Sequence, residues 1–361
     1  MEDGPIKKAT MSVLSMVLLS ACAGTITQQS PISPAMVEAE QERQRGLVLQ
    51  TLTGQQARLD EIAFPLLVSS VEICGNDVTT KIGVRWTNNS YYEDDWQVAA
   101  TNALGLTDTL EVLSVWSGSP ASKAGLSPGD RILTLDGAPV PSGKESLEFV
   151  GGIFDGRATS VVIGTAGSDG LRTIQVQPVR LCSYNVNTGN SSDINAYADG
   201  EQVVVTSGMM RFADDAELAV VVGHEIAHNA MGHISAMKSN SLWGGILGAV
   251  VDGLAAARGV ETGGAYTQLG ANTAASQFSQ DFEREADYVG LYILARAGVE
   301  IDQAPDFWRH MAIANPGSIG LATSHPTSAE RFVRIEQAVN EIEEKIQDGR
   351  PLLPEMKPGN E

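Results

Sequence analysis

Positive charge is scarce in this chain: 24 lysines and arginines stand against 44 aspartates and glutamates, for a formal charge of −20 over 361 residues. Such a surface repels phosphate backbones and has no concentrated basic face, which argues against a nucleic-acid partner. Long apolar runs are also missing. Met11 to Leu19 is too short to span a bilayer, and Ser241 to Arg258, though apolar and small, carries Asp252 and several glycines. Cysteine occurs three times and histidine five times, so a metal site or a disulfide must be assembled from few residues. With 43% hydrophobic and 19% charged residues, the chain has ordinary globular composition and is long enough for two domains.

Lys7 and Lys8, the apolar run Met11 to Leu19 and the segment Leu19-Ser20-Ala21-Cys22 have the three-part form of a secretory signal over residues 1–21. Small residues before a cysteine resemble the bacterial lipobox, which implies cleavage before Cys22 and acylation of that residue. An ordinary signal peptide that happens to contain Cys22 is the alternative. Ala23 in place of an aspartate resembles the outer-membrane sorting pattern, and several acyl chains make a stable anchor. Residues 22–36, rich in Thr, Gln, Ser and Pro, read as a tether that reaches roughly 45 Å when extended. With Cys22 acylated, Cys74 and Cys182 remain as an even pair in an oxidising compartment, and a disulfide between them is expected. Two buried free thiols are the alternative.

The chemistry centres on His224-Glu225-Ile226-Ala227-His228. Residues i and i+4 share a helical face, so both imidazoles can ligate one Zn²⁺ while Glu225 acts as general base. Glu217 to Gly223 supplies the apolar face of a buried helix, with Asp214 or Asp215 as its cap. Catalytic zinc takes three protein ligands, so a third must lie elsewhere. Phe282 to Asp287 falls on a helix expected over about Ala274 to Ala297, where Glu283 and Asp287 are one turn apart. Glu283 can complete the site and Asp287 can hold a histidine's second nitrogen. On that helix Glu285 points about 200° away from Glu283. His233, five residues past His228 and about 140° round a continuous helix, reads as a capping or packed residue. His310 reads as surface or packing.

Residues 98–182 change character, with β-rich runs broken by Gly and Pro turns. Ser119 to Val140 (SPASKAGLSPGDRILTLDGAPV) closely resembles the central segment of bacterial PDZ domains, and Ala103-Leu104-Gly105-Leu106 sits where that family has its carboxylate-binding loop. The resemblance implies backbone N–H groups that capture a peptide C-terminus as the peptide adds a strand to a sheet edge. A spacer or internal brace is the alternative. Around this module, residues 37–97 and 183–340 are expected to form the two parts of the catalytic domain, with a strand at Ile82 to Thr87 in the first part. Tyr184 to Ser192 reads as loop, Asn195 to Thr206 as a turn and strand, residues 241–258 as a mobile helix or lid followed by a Gly-rich loop over Gly259 to Gly270, and residues 341–361 as a frayed tail.

Together, HEIAH, His233, Glu283-Arg-Glu-Ala-Asp287 and Ser324-His325-Pro326 with Arg331 resemble the zinc metallopeptidase family of the CAAX prenyl proteases, HtpX and the periplasmic BepA and LoiP. The resemblance covers most of residues 183–340. It implies an α+β fold: a mainly helical zincin-type domain with a small β-sheet, interrupted here by the PDZ-like module, which those members lack. It implies one Zn²⁺ on His224, His228 and Glu283, with Glu225 as base, Asp287 behind a ligand, His325 near the metal or the substrate oxyanion, and Arg331 supporting the cleft. The expected activity is zinc-dependent hydrolysis of misfolded or unassembled envelope polypeptides on the periplasmic face of a bacterial membrane. A lipid-anchored PDZ scaffold or chaperone with a latent or structural metal site is the alternative.

Overall fold

Buried apolar side chains fall into two main clusters, and the burial periodicity of each segment shows which one it serves. The computed structural model describes residues 27, 30–154, 159–239, 265–314, 316 and 329–357. Its first elements are α1 (Pro34–Ser69), β1 (Val78–Lys81), β2 (Val84–Thr87), α2 (Asp94–Leu104), β3 (Glu111–Val115) and α3 (Pro120–Lys123). Then come β4 (Arg131–Leu135), β5 (Ala138–Pro139), α4 (Lys144–Phe154), β6 (Val161–Gly167), β7 (Gly170–Val176), β8 (Val179–Cys182) and β9 (Asn185–Gly189). The remainder is β10 (Ala196–Ala198), β11 (Gln202–Thr206), α5 (Ser207–Phe212), α6 (Asp215–Ala230), α7 over 233–239, α8 (Ala265–Arg296), α9 (Ala304–Ala314) and α10 (Ala329–Gln347). This is the expected α+β arrangement. By compactness the chain divides into residues 1–41 and 42–361; the described part of the first unit is exposed and includes the opening turns of α1. Among the described residues no helix is long and apolar enough to cross a membrane.

The β-rich module is built on the path β2-β3-β4-β6-β7, with β5 paired to β4. Strands β6 and β7 pair antiparallel from Val161↔Val176 to Gly167↔Gly170, and Val161, Ile163 and Thr165 alternate inward. Two boundaries differ from the sequence reading. Strand β2, assigned to the catalytic domain, pairs with β3 and is the first strand of this sheet. Strand β8, assigned to the module, leaves the sheet and pairs with β1 from Val78↔Cys182 to Lys81↔Val179. Strand propensity marks where a strand lies, and only long-range pairing decides which sheet it joins.

The second core is largely helical. Asp214 accepts from the Glu217 N–H and Glu217 accepts from the Asp214 N–H, a capping box that satisfies two donors at the start of α6. Leu218, Val222 and Ile226 of α6 are fully buried, each contributing about 1.5–3 kcal/mol. A three-stranded sheet, β10-β11-β9, lies beside it. Here Tyr184 to Ser192 is not a loop throughout: β9 runs parallel to β11 from Gln202↔Asn185 to Thr206↔Gly189. Its Asn-Val-Asn-Thr-Gly sequence looks like turn chemistry, and the neighbouring strand overrides it.

Cys74 and Cys182 are disulfide-bonded, with Cα atoms 5.8 Å apart. The expected tail is also ordered through residue 357. Lys345 donates to the Leu353 carbonyl, Arg296 donates to the Leu352 carbonyl, and the Glu355 N–H donates to the Tyr288 hydroxyl. Acidic and Pro-rich composition suggested fraying, but these contacts tie the segment to α8 and α10. Helix α8 begins at Ala265, earlier than expected, and the expected lid over residues 241–258 lies outside the described residues.

A candidate metal centre

Two glycines set how closely the site's helices approach. A Cβ on Gly290 of α8 would lie 3.2 Å from both the N and Cα of His224, and one on Gly223 of α6 would lie 3.3 Å from the Gly290 carbonyl. With no side chain at that crossing, the backbones pack directly and Glu283, about two turns earlier on α8, reaches the histidines. Its Oε1 lies 3.1 Å from His228 Nε2 and its Oε2 lies 3.4 Å from His224 Nε2. The two Nε2 atoms are 3.1 Å apart. All three residues are buried, and their ligand atoms lie within 4.8 Å of one another.

Behind His224, Asp287 places Oδ1 3.0 Å from the imidazole Nδ1. Arg331 donates to both Asp287 oxygens at 2.7 Å, so the carboxylate is held as a bidentate pair. The Trp308 ring lies 3.4 Å beneath the Arg331 guanidinium carbon and meets His224 edge-on at 5.3 Å. Burial works against the Asp287 charge, but Arg331 and His224 outweigh it and hold the carboxyl below its usual range. Burial also opposes charge on His224, yet Glu283 and Asp287 prevail and push it up to about 10.

This donor set fits a divalent cation. Glu225, Glu283 and Asp287 are three buried carboxylates, and Arg331 is the buried guanidinium that faces Glu283 and Asp287. Even with Arg331 and a protonated His224 set against them, negative charge remains over in a low-dielectric setting, a cost that one divalent cation would offset. Spacings of 3.1 to 3.4 Å also match the roughly 3.3 Å between ligands held 2.0–2.1 Å from a tetrahedral ion.

Two residues that the sequence reading set aside join the site. Helix α6 ends at Ala230, and Gly232 adopts φ +67°, a left-handed conformation that re-aims the chain before α7. His233 therefore returns to His228, with the two Nδ1 atoms 3.0 Å apart, instead of lying on the far side of a continuous helix. Its Nε2 lies 2.9 Å from Glu285 Oε2, and Phe282 stacks on its ring at 4.5 Å. Gly232 was the signal for this break, four residues from the ligand His228. His310 is where packing suggested: it stacks on Phe212 at 4.0 Å, with Nδ1 2.8 Å from Glu217 Oε1. His325 and Cys22 lie outside the described residues.

Comparison with known proteins matches residues 170–339 to peptidase family M48 and residues 80–163 to a PDZ domain. Residues 170–339 thus resemble peptidase family M48. The chain is 32% identical over 168 residues to the mitochondrial metalloendopeptidase OMA1 of Arabidopsis thaliana, covering 45% of this chain and 33% of that one. It is 30% identical over 166 residues to the beta-barrel assembly-enhancing protease of Yersinia pestis, covering 42% and 34%. It is also 31% identical over 167 residues to the metalloprotease LoiP of Escherichia coli, covering 45% and 63%. The chain thus spans about a third of the first two relatives and under two thirds of the third.

The PDZ match begins ahead of β2, in keeping with the place of that strand in the sheet. Ala103 to Leu106 is accordingly not an open peptide-binding loop. Ala103 and Leu104 end α2, and the Ala103 carbonyl accepts from Gln50. Gly105 caps the helix with φ +72°, and Leu106 is buried against Leu49, Ala99 and Ala100. A glycine between two leucines reads alike as a carboxylate loop or a helix C-cap, and the preceding helix decides between them. The next strand, β3, lies between β2 and β4 and so offers no edge, whereas β2 ends the sheet.

Proposed function

We propose that the chain is a zinc-dependent endopeptidase of the bacterial cell envelope, anchored by lipid at Cys22, that cleaves misfolded or unassembled envelope polypeptides. The observation that carries this reading is the convergence of His224, His228 and Glu283 on one point, with excess buried negative charge around it. The name of one relative, a beta-barrel assembly-enhancing protease, supports the substrate class.

Zinc, when bound, polarises the scissile carbonyl and lowers the pKa of water to about 7. The residues that would hold it are His224, His228 and Glu283. Glu225, between the two histidines on α6, takes the proton from the attacking water and passes it to the leaving amine. Asp287 and Arg331 fix the His224 ring so that Nε2 faces the centre. In the PDZ domain, we place peptide capture on β2 and the Lys81 to Val84 turn before it, because an extended peptide adds to a sheet edge. On resemblance alone, His325 is proposed to approach the metal or the substrate oxyanion.

The test is metal content and cleavage of an unfolded protein by the parent and by Glu225→Gln. The parent should hold one zinc per chain and cleave. The variant should keep its zinc and lose about 10²–10⁴-fold in rate. A parent without zinc, or a variant that cleaves equally well, refutes the peptidase reading.

A further inference from the structure

Both histidines of the centre have a second ring nitrogen, and the structure treats the two differently. His224 Nδ1 meets Asp287 directly, inside the protein. His228 Nδ1 meets another histidine, His233, at 3.0 Å, and His233 Nε2 meets Glu285 Oε2 at 2.9 Å, where the carboxylate is 47% exposed.

We propose that His233 and Glu285 form a positioning relay that holds His228 in the tautomer able to bind the metal. The inference rests on the metal-site reading above and extends it to residues outside the ligand set. Its logic is a matter of proton count. To ligate through Nε2 as a neutral imidazole, His228 must carry its ring proton on Nδ1. That N–H then donates to His233 Nδ1, which must be bare, so the His233 proton sits on Nε2. Glu285, which as a carboxylate can accept but not donate, favours that arrangement by accepting from Nε2–H. The reverse tautomer of His233 would donate from Nδ1 to His228, force the His228 proton onto Nε2 and block the ligand atom. It would also set the bare Nε2 of His233 against the carboxylate.

Geometry fixes each link. Phe282 stacks on the His233 ring at an interplanar angle of 18°, and the His228 ring lies edge-on to it at 5.0 Å. His233 is 1% exposed, so water does not compete for its Nδ1.

The relay is tested on the full-length protein by chelator competition for zinc and by histidine-selective NMR, which reads the nitrogen that carries each ring proton. His233→Ala and Glu285→Ala should each raise the zinc dissociation constant about tenfold or more, within the 10–100-fold range for groups behind a ligand. The double variant should be no worse than His233→Ala, because both residues act through one chain. Glu285→Gln should recover most of the affinity, since its amide oxygen still accepts. NMR should place the His233 proton on Nε2 in the parent and show a mixture in Glu285→Ala. Glu285→Ala alters a half-exposed side chain, so an unchanged melting midpoint under chelator separates positioning from folding. Parental zinc affinity in both alanine variants overturns the relay alone. A parent that binds no zinc overturns the metal site, and the relay with it.

Discussion

Gly290 packs against the backbone of His224 so closely that a Cβ at Gly290 would sit 3.2 Å from the His224 N and Cα. The metal cluster exists because of that approach, since the same helix carries Glu283 toward the histidines. A branched side chain at this crossing must push α8 off α6. Gly290→Val should destabilise the protein by about 1–3 kcal/mol, as overpacking does. It should also weaken zinc binding, while Gly54→Val on α1, where a Cβ meets nothing within 4 Å, should leave zinc binding unchanged. Urea melts and zinc titration check both.

Arg331 and Asp287 are buried and bonded to each other through two contacts. Arg331→Met should therefore cost about 3–5 kcal/mol, because it leaves a buried carboxylate without its partner. The pH dependence follows from the depressed folded value of Asp287. Its contribution is full above the unfolded value of about 3.9 and is lost as pH falls through the lower folded value. Under chelator, Asp287→Asn should be less stable than the parent at neutral pH and should lose less on acidification below about pH 4. Melting curves across pH measure the difference.

The disulfide between Cys74 and Cys182 joins residues 108 apart in sequence, and the PDZ domain lies within the loop that it closes. Reduction, or Cys74→Ser with Cys182→Ser, should lower stability by about 2–5 kcal/mol. A drop in melting temperature on adding reductant, absent in the double variant, is the expected reading.

The PDZ edge makes a separate prediction. Lys81 stands at the turn before β2, with Nζ donating to Asn185. Lys81→Glu should weaken binding of a peptide with a free C-terminal carboxylate by about tenfold or more and affect its amidated form less. Ala103→Glu, on the end of α2, should leave both unchanged. Fluorescence anisotropy with labelled peptides separates the two positions.

The local part of the site was legible in the chain. His224, Glu225 and His228 follow from i and i+4 geometry, and Glu283 with Asp287 from one further turn, because helical period converts spacing into direction. What lay beyond one uninterrupted element was not legible. His233 was placed by a continuous helix that Gly232 ends, and Glu285 was set aside because it points away from Glu283, although His233 waits there. Residues 103–106 and β9 were misread for a related cause, since glycine and asparagine serve turns, caps and strand ends alike.

By itself, then, the sequence determined which side chains can ligate a metal, which helices carry them and which two cysteines remain to pair. Those are matters of residue chemistry and short-range period. Tertiary structure alone decided that α6 and α8 cross at Gly223 and Gly290, that β2 closes the PDZ sheet, and that His228 is backed by His233 and Glu285. Each depends on backbones far apart in the chain coming within a few ångströms, and that distance is set by packing, which no local pattern encodes.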